Sequence, residues 1–355
     1  MSGGFTSVGV GFINPSGAFV AQGGLGLSHP PQDFALGGGG VLPFNPTVDL
    51  NFASNAYYGV SGAPTSFLTT VRAAPAAYAS DVLGNWISFG ANIPRITNAG
   101  LLVEESRTNL FLNSQAPVTQ TITVTSSSVY TVSVYGNATL VLSGAGTGTV
   151  TQGNPVTFTA SSTSLTVTVS GAGGSFQNAQ VELGAFATSP IVTAGAAGTR
   201  AGDVIVLTSP PAFGSAYTVF GSGTPKAPNA ASANQFLLCV DDGTGNNRVN
   251  VNRNSTGLNA PSTQSGGVLT SIGLGTAWAQ NMLGKNAISV ASGAQASSFN
   301  GGAVDTAAGA LPVGVANTRI GTNQASVAFW DGTISRVALW ATSALTGAQL
   351  QQITT

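Results

Sequence analysis

Residues 129–136 read VYTVSVYG, and this stretch decides the fold. A period of two places Tyr130, Val132 and Val134 on one side of an extended chain and Thr131 and Ser133 on the other. The same alternation recurs in TQTITVT from Thr119, ATLVLSG from Ala138, PVTFTA from Pro155 and SLTVTVSG from Ser164. Between these runs lie GAGTG from Gly144 and TQGNP from Thr151, residues suited to tight turns. Five such runs between Pro117 and Gly184 predict a small antiparallel β-sandwich or jelly roll. Its Thr-rich faces are read as an inert structural surface in preference to a sugar- or ice-binding one.

Outside this stretch the scarcity of charge sets the bounds. Only 6% of the 355 residues are charged, against about 25% in ordinary globular domains. Apolar residues reach 43%, so the low charge does not indicate disorder, and the length suffices for two or three domains. A net charge of −1 gives no electrostatic drive toward nucleic acid or an anionic membrane. There is no apolar run of about 18 residues to span a bilayer. The first residues lack a cationic n-region followed by an apolar h-region, so the chain is expected to fold in the cytoplasm and reach any later destination by assembly or lysis. Cys239, in QFLLCVDD, is the only cysteine; it reads as a small buried strand residue, and no intramolecular disulfide is possible.

The charges that exist are clustered. Glu104, Glu105 and Arg107 stand together in GLLVEESRTNLFLNS (100–114), and the 74 positions from 108 to 181 carry none. Such a knot is costly to bury unless paired, and its neighbours Leu101, Leu102, Val103, Leu110, Phe111 and Leu112 show that the segment packs against something. The reading is a structural junction between an N-terminal region and the following β domain. Arg107 is expected to pair with Glu104, Glu105 or the distant Glu182. Arg72, Asp81 and Arg95 are expected to form exposed pairs across the same junction, each worth about 0–1 kcal/mol.

This segment also carries a resemblance. GLLVEESRTNL resembles the GLLVEE-x-RTNL segment of a family of tailed-bacteriophage virion proteins: tail-fibre, head-fibre and minor structural proteins. A second block supports it in QVELGAFATSPIVTAGAAGTRAGDV (180–204), through Gln180, Glu182, Gly184, Phe186, Thr188, Ser189, Ile191, Thr193, Gly195, Thr199, Arg200 and Asp203. DDGTGNNRVNV from Asp241 and TRIGT…FWDGTISRVALW from Thr318 extend the match, the latter resembling the ending of a concanavalin-like or laminin-G-like sandwich. The resemblance covers the chain from about Leu50 onward. It implies an all-β chain of tandem antiparallel β-sandwiches, serving as a fibre, spike or decoration protein without catalysis or cofactor. Its expected partners are other virion proteins and, as a homotrimer, its own copies. The alternative expectation is an adhesin whose C-terminal sandwich recognises a host surface glycan; a depolymerase is a third.

Taken in order, residues 1–48 form a Gly-rich arm with Asp33 as its only charged side chain and His29, in SHPPQD, as the only histidine of the chain. The arm is expected to attach to a partner and to order there. Residues 49–116 are the junction region, 117–199 the small sandwich and its connector, and 200–355 the concanavalin/laminin-G-like sandwich. The last segment holds strand-like runs such as AYTVFG, QFLLCVDD, RVNVN, AISVASG, VAFW and TISRVALW, then a short helix capped by Thr346 with Leu350 and Ile353 on one side.

Catalytic chemistry finds few candidates. A Ser-His-Asp triad would have to use His29, and no serine-elbow motif accompanies it. Glu104 and Glu105 are adjacent, so on a strand they face opposite ways and cannot act as a glycosidase pair. Asp241, Asp242, Asn246 and Asn247 offer oxygen ligands of the kind calcium takes, but the same letters build a hairpin turn, and the turn reading is preferred. Trp330 and Trp340 read as core, and Trp278, in GTAWAQN, as the candidate exposed aromatic for a glycan.

Overall fold

The computed structural model describes residues 40–171, 176–228, 234–273 and 275–355. Nearly all of the arm expected over 1–48, with His29 and Asp33, lies outside the described residues. Within them, every strand pairing is antiparallel, and the chain is all-β apart from two short helices, Pro64–Phe67 and Gly347–Thr354.

The alternation from Thr119 to Gly171 folds as the sequence predicts. Val156–Thr159, Val129–Tyr135 and Asn178–Leu183 form one sheet; Gly148–Val150, Thr139–Gly144, Ser164–Ser170 and Gln120–Thr123 form the other. Tyr130, Val132, Val134, Leu140, Leu142, Leu165, Val167 and Val181 meet between them as a core of their own. The four-stranded sheet keeps a half-exposed outer face, as in Ser164–Ser170. The three-stranded sheet does not. Thr131 and Ser133 on its outer side are buried, because the chain after Leu183 folds back across it.

The larger sandwich draws on both ends of the described chain. Its nine-stranded sheet is centred on Gly332–Trp340, which pairs with Val48–Asn51, with Gly100–Val103 and with Ala216–Pro225. Its seven-stranded sheet runs from Val268–Ser271 through Arg248–Arg253, Gln235–Asp241, Asn317–Ile320 and Val204–Leu207 to Leu68–Val71. Leu50, Phe52, Leu101, Val103, Leu238, Val251, Ile288, Trp330 and Leu339 fill the space between. The 49–116 region, expected to stand apart from a sandwich of 200–355, thus supplies strands to both of its sheets. Local periodicity identifies such strands but not partners more than 200 positions away.

Two local expectations have different outcomes. The helix Gly347–Thr354 is capped by Thr346, whose side chain and that of Gln349 satisfy each other's backbone N–H, and Leu350 and Ile353 are buried against Phe220 and Trp340. VAFW (327–330), expected as a strand, is a loop. The Asn323 side chain accepts from the N–H groups of Ala325 and Val327, and Ser326 takes a positive φ, so the chain turns there instead of extending.

Candidate functional site

The two blocks that carry the resemblance lie 66 or more positions apart in sequence and together in space. Arg107–Asn109 pairs antiparallel with Gly198–Arg200. Beside this pairing, Asn109 is wholly buried and uses its full hydrogen-bonding capacity: its amide donates to the carbonyls of Ala179 and Ile191, and its oxygen accepts from Phe111 and Val181.

At the centre is a buried ionic network. Arg95 donates to Glu104 at 2.9 Å and also to Asp203; Arg72 donates to Asp203 at 2.8 Å; Arg200 donates to Glu104. Ser189 donates to Glu104 from both its backbone N–H, at 2.9 Å, and its hydroxyl, at 2.6 Å. The backbone N–H of Glu104 donates to the Asp203 carboxylate at 3.0 Å, and Asp203 N–H returns a bond to the Glu104 carbonyl. All five charged side chains are at most 1% exposed. Burial alone would raise the Glu104 carboxyl, but Arg200 and Arg95 overcome it and hold the group well below the usual carboxylate range. The pairs of Arg72 and Arg95, expected to be exposed, are buried, because the strands of the larger sandwich close over them.

Arg107 resolves to one of its three expected partners. Its Nε donates to Glu105 at 2.7 Å, it donates to the Leu183 carbonyl, and its guanidinium lies 4.7 Å over the Phe186 ring. Glu105 is half-exposed, so this pair is the rim of the network. Glu182, the distant candidate, pairs with no cation among the described residues; it accepts from the Thr188 N–H and hydroxyl, and burial raises its carboxyl. Burial also pushes Asp331 up to about 8, with the Glu105 charge beside it, while its Oδ1 accepts from the Glu105 N–H at 2.7 Å. Asp81 is outside the network and caps its own turn through Leu83 and Asn85.

The polar face of the small sandwich connects to this network. Tyr135 donates to the Thr188 carbonyl, Gln180 accepts from Ile191 N–H, and Glu182 holds Thr188. The segment 186–191 is therefore pinned on one side by the small sandwich and on the other by Glu104. Next to it, between the two sandwiches, opens a cleft of about 510 Å³ that includes Ser133, Thr157, Phe186, Lys226, Gln280 and Asn281 in its lining.

The remaining sequence candidates fall elsewhere. Trp278 is not exposed: its side chain is wholly buried, in edge contact with Trp330 at 4.8 Å and donating to the Gly223 carbonyl. DDGTGNN forms the turn between Gln235–Asp241 and Arg248–Arg253. There Asp241 accepts from Arg319 at 2.7 Å, and Asp242 accepts from Thr244 and from Asn247. Asn246 donates to Thr244. Among the described residues no three His, Cys, Asp or Glu side chains stand where they could hold a metal ion. Cys239 is buried, and burial raises its thiol.

No family model matches the chain, and no curated protein sequence does. Among solved structures it is similar to the CBM40 of a Ruminococcus gnavus IT-sialidase bound to α2,6-sialyllactose, at 18% identity and a TM-score of 0.34, over 41% of this chain and 85% of that one. It is also similar to domain 4 of AbnA, a GH43 extracellular arabinanase from Geobacillus stearothermophilus, in complex with arabinotriose, at 16% and 0.35, over 43% and 73%. A third is the K499G mutant of the NanB sialidase from Streptococcus pneumoniae, at 17% and 0.32, over 39% and 24%. The likeness is distant and is one of β-sandwich architecture.

Proposed function

We propose that this chain is a non-enzymatic structural protein of a tailed-phage particle, a fibre, spike or decoration component built as two β-sandwiches on a fixed joint. The observation that carries the reading is the meeting of the two resembling blocks in one buried network. Glu104 and Ser189 come from opposite sides of the small sandwich in sequence, and their contact clamps that sandwich to the larger one. A buried network of this kind loses several kcal/mol if one partner is removed, so it favours a single geometry. Mass spectrometry of purified virions from the source phage, with immunogold labelling, tests the reading: peptides of this chain in the particle are expected, and their absence from particles whose host lysate contains the protein overturns it.

A second reading, an adhesin for host surface glycan, is favoured by the cleft between the sandwiches. Its lining includes the hydroxyl, amide and ammonium side chains of Ser133, Thr157, Gln280, Asn281 and Lys226. A glycan array probed with the whole chain tests that reading, which fails if no glycan is retained.

A further inference from the structure

Lys226 contributes to the lining of the cleft between the sandwiches and is half-buried there. Among the described residues its ammonium has no ion-pair partner and no hydrogen-bond acceptor. Its backbone is fixed: its N–H donates to the Asp331 carbonyl at 2.7 Å, and its own carbonyl accepts from the Gln280 amide at 2.6 Å. Asn281 N–H donates to the Pro225 carbonyl at 2.8 Å, so both sides of this wall are stitched together. A second polar group faces the same place. Ser133 is 4% exposed with its hydroxyl beside that of Tyr135, and a hydroxyl can take part in more than one hydrogen bond. An ammonium without a partner is unfavourable unless something else completes it.

The surrounding charge specifies the sign of that partner. Glu104 is the carboxylate that acts on Lys226, and it is already held between Arg95 and Arg200. Counting Arg72, Arg95, Arg200 and Lys226 against Glu104 and Asp203 gives four cations and two anions, an excess of two positive charges. Burial acts on these groups in both directions: it lowers Lys226, which the Glu104 charge counters, and it raises Glu182 and Asp331. A low-dielectric wall with surplus positive charge attracts an anion into the cleft.

The size and lining say what carries the charge. At about 510 Å³ the cleft holds far more than one carboxylate or sulfate, and it lies within the roughly 300–1,000 Å³ of small-molecule sites. Thr157, Gln280 and Asn281 add hydroxyl and amide groups that match sugar hydroxyls, and Phe186 adds an apolar wall. We propose that the cleft binds an acidic saccharide, a sugar bearing a carboxylate or sulfate group, with Lys226 as its counter-ion and Ser133 among its hydrogen-bond partners. The inference rests on the adhesin reading and deepens it.

Titration calorimetry on the whole chain tests it with a tetragalacturonate, a chondroitin sulfate tetrasaccharide and neutral maltotetraose, and with sodium sulfate alone. The expected result is binding of at least one acidic oligosaccharide, weakening with salt, and no binding of maltotetraose. Lys226→Gln should lower that affinity tenfold or more with the thermal midpoint unchanged. If that variant is recovered unfolded, Asn281→Asp, which sets a negative charge in the cleft at a residue of positive φ that Asp tolerates, should do the same. Which acidic sugar binds separates carboxylate from sulfate as the recognised group. Binding of maltotetraose at equal strength overturns the acidic assignment and leaves the adhesin reading standing; no binding of any oligosaccharide overturns it, and if the glycan array also retains nothing, the adhesin reading falls with it. Occupancy by sulfate alone with no gain from the sugar, or an affinity indifferent to Lys226→Gln, also overturns it.

Discussion

The Ser189 hydroxyl donates to the Glu104 carboxylate at 2.6 Å across 85 positions of chain, and accepts from Arg95 at 2.7 Å. One serine thus belongs to both of the resembling blocks' contacts. Ser189→Ala removes one donor from a buried carboxylate and should cost about 1.5–3 kcal/mol. Urea denaturation measures this as a lower midpoint at unchanged slope, and an unaltered midpoint would show that water replaces the hydroxyl.

The network and its rim should rank differently. Arg95→Met leaves Glu104 and Asp203 buried with one cation fewer, at a cost of roughly 3–5 kcal/mol. Arg107→Ala removes a pair to the half-exposed Glu105, a bond to the Leu183 carbonyl and a ring contact, worth about 1–3 kcal/mol together. Chemical denaturation of both variants gives the order, and a reversed order would move the structural centre from Arg95 to Arg107.

Stability should depend on pH in two opposed ways. Glu104 is held below the carboxylate range when folded, so its contribution is full above that range and is lost as pH falls through and below it. Asp331 is raised from 3.8 to about 8, so the folded state binds its proton more tightly, and stability declines as pH rises between those values. Asp331→Asn should flatten that decline and leave the acid limb in place, since Asn keeps the acceptor for Glu105 N–H and tolerates the φ of +49°. Thermal midpoints from about pH 2 to 9 check both limbs; a decline that persists in the variant would assign it to another group.

Gly184 is a steric hinge of the rim. It has a φ of +132°, and a Cβ placed there would meet the Arg107 guanidinium at 1.5 Å. Arg107 is tied to Glu105 and Leu183, so it cannot move aside without losing both. Gly184→Ala should lower stability by about 1–3 kcal/mol through backbone strain alone and by more through the clash, and only the clash part should disappear when Arg107 is already Ala; a double-mutant cycle with no coupling would refute the clash.

The small sandwich should also associate with its own copies. Its edge strands Gln120–Thr123 and Gly148–Val150 carry no charged residue, and Val118, Val141 and Leu183 are exposed nearby. Natural sheet edges are usually guarded by charge, proline or bulges. We expect a trimer by sedimentation at micromolar concentration; a monodisperse monomer would defeat this.

The sequence made the small sandwich legible because period two within a single strand is local information. Trp278 was not legible for the opposite reason. Its burial depends on glycines elsewhere: a Cβ at Gly284 would meet the indole nitrogen at 2.4 Å, and one at Gly223 would crowd Trp330 Nε1 at 3.1 Å. Nothing in GTAWAQN reveals that distant backbone makes room. The charge knot was legible as a junction from its isolation, but not its depth, since Arg72 and Arg95 sit in unremarkable runs and only the closed sheets exclude water from them. Asn109 was visible only as a letter of RTNL, and its four hydrogen bonds come from three separate segments.

The strand Gly332–Trp340 pairs with Val48–Asn51, Gly100–Val103 and Ala216–Pro225, and it is made after all of them. During synthesis, therefore, the three earlier strands leave the ribosome with their shared neighbour still missing. The small sandwich has no such wait, because its strands lie within 120–183. At about 5–20 residues per second, the delay between the two is on the order of ten to thirty seconds. The larger sandwich spends that interval as a set of open edges, and a chaperone that shields apolar strands would act on this chain during it.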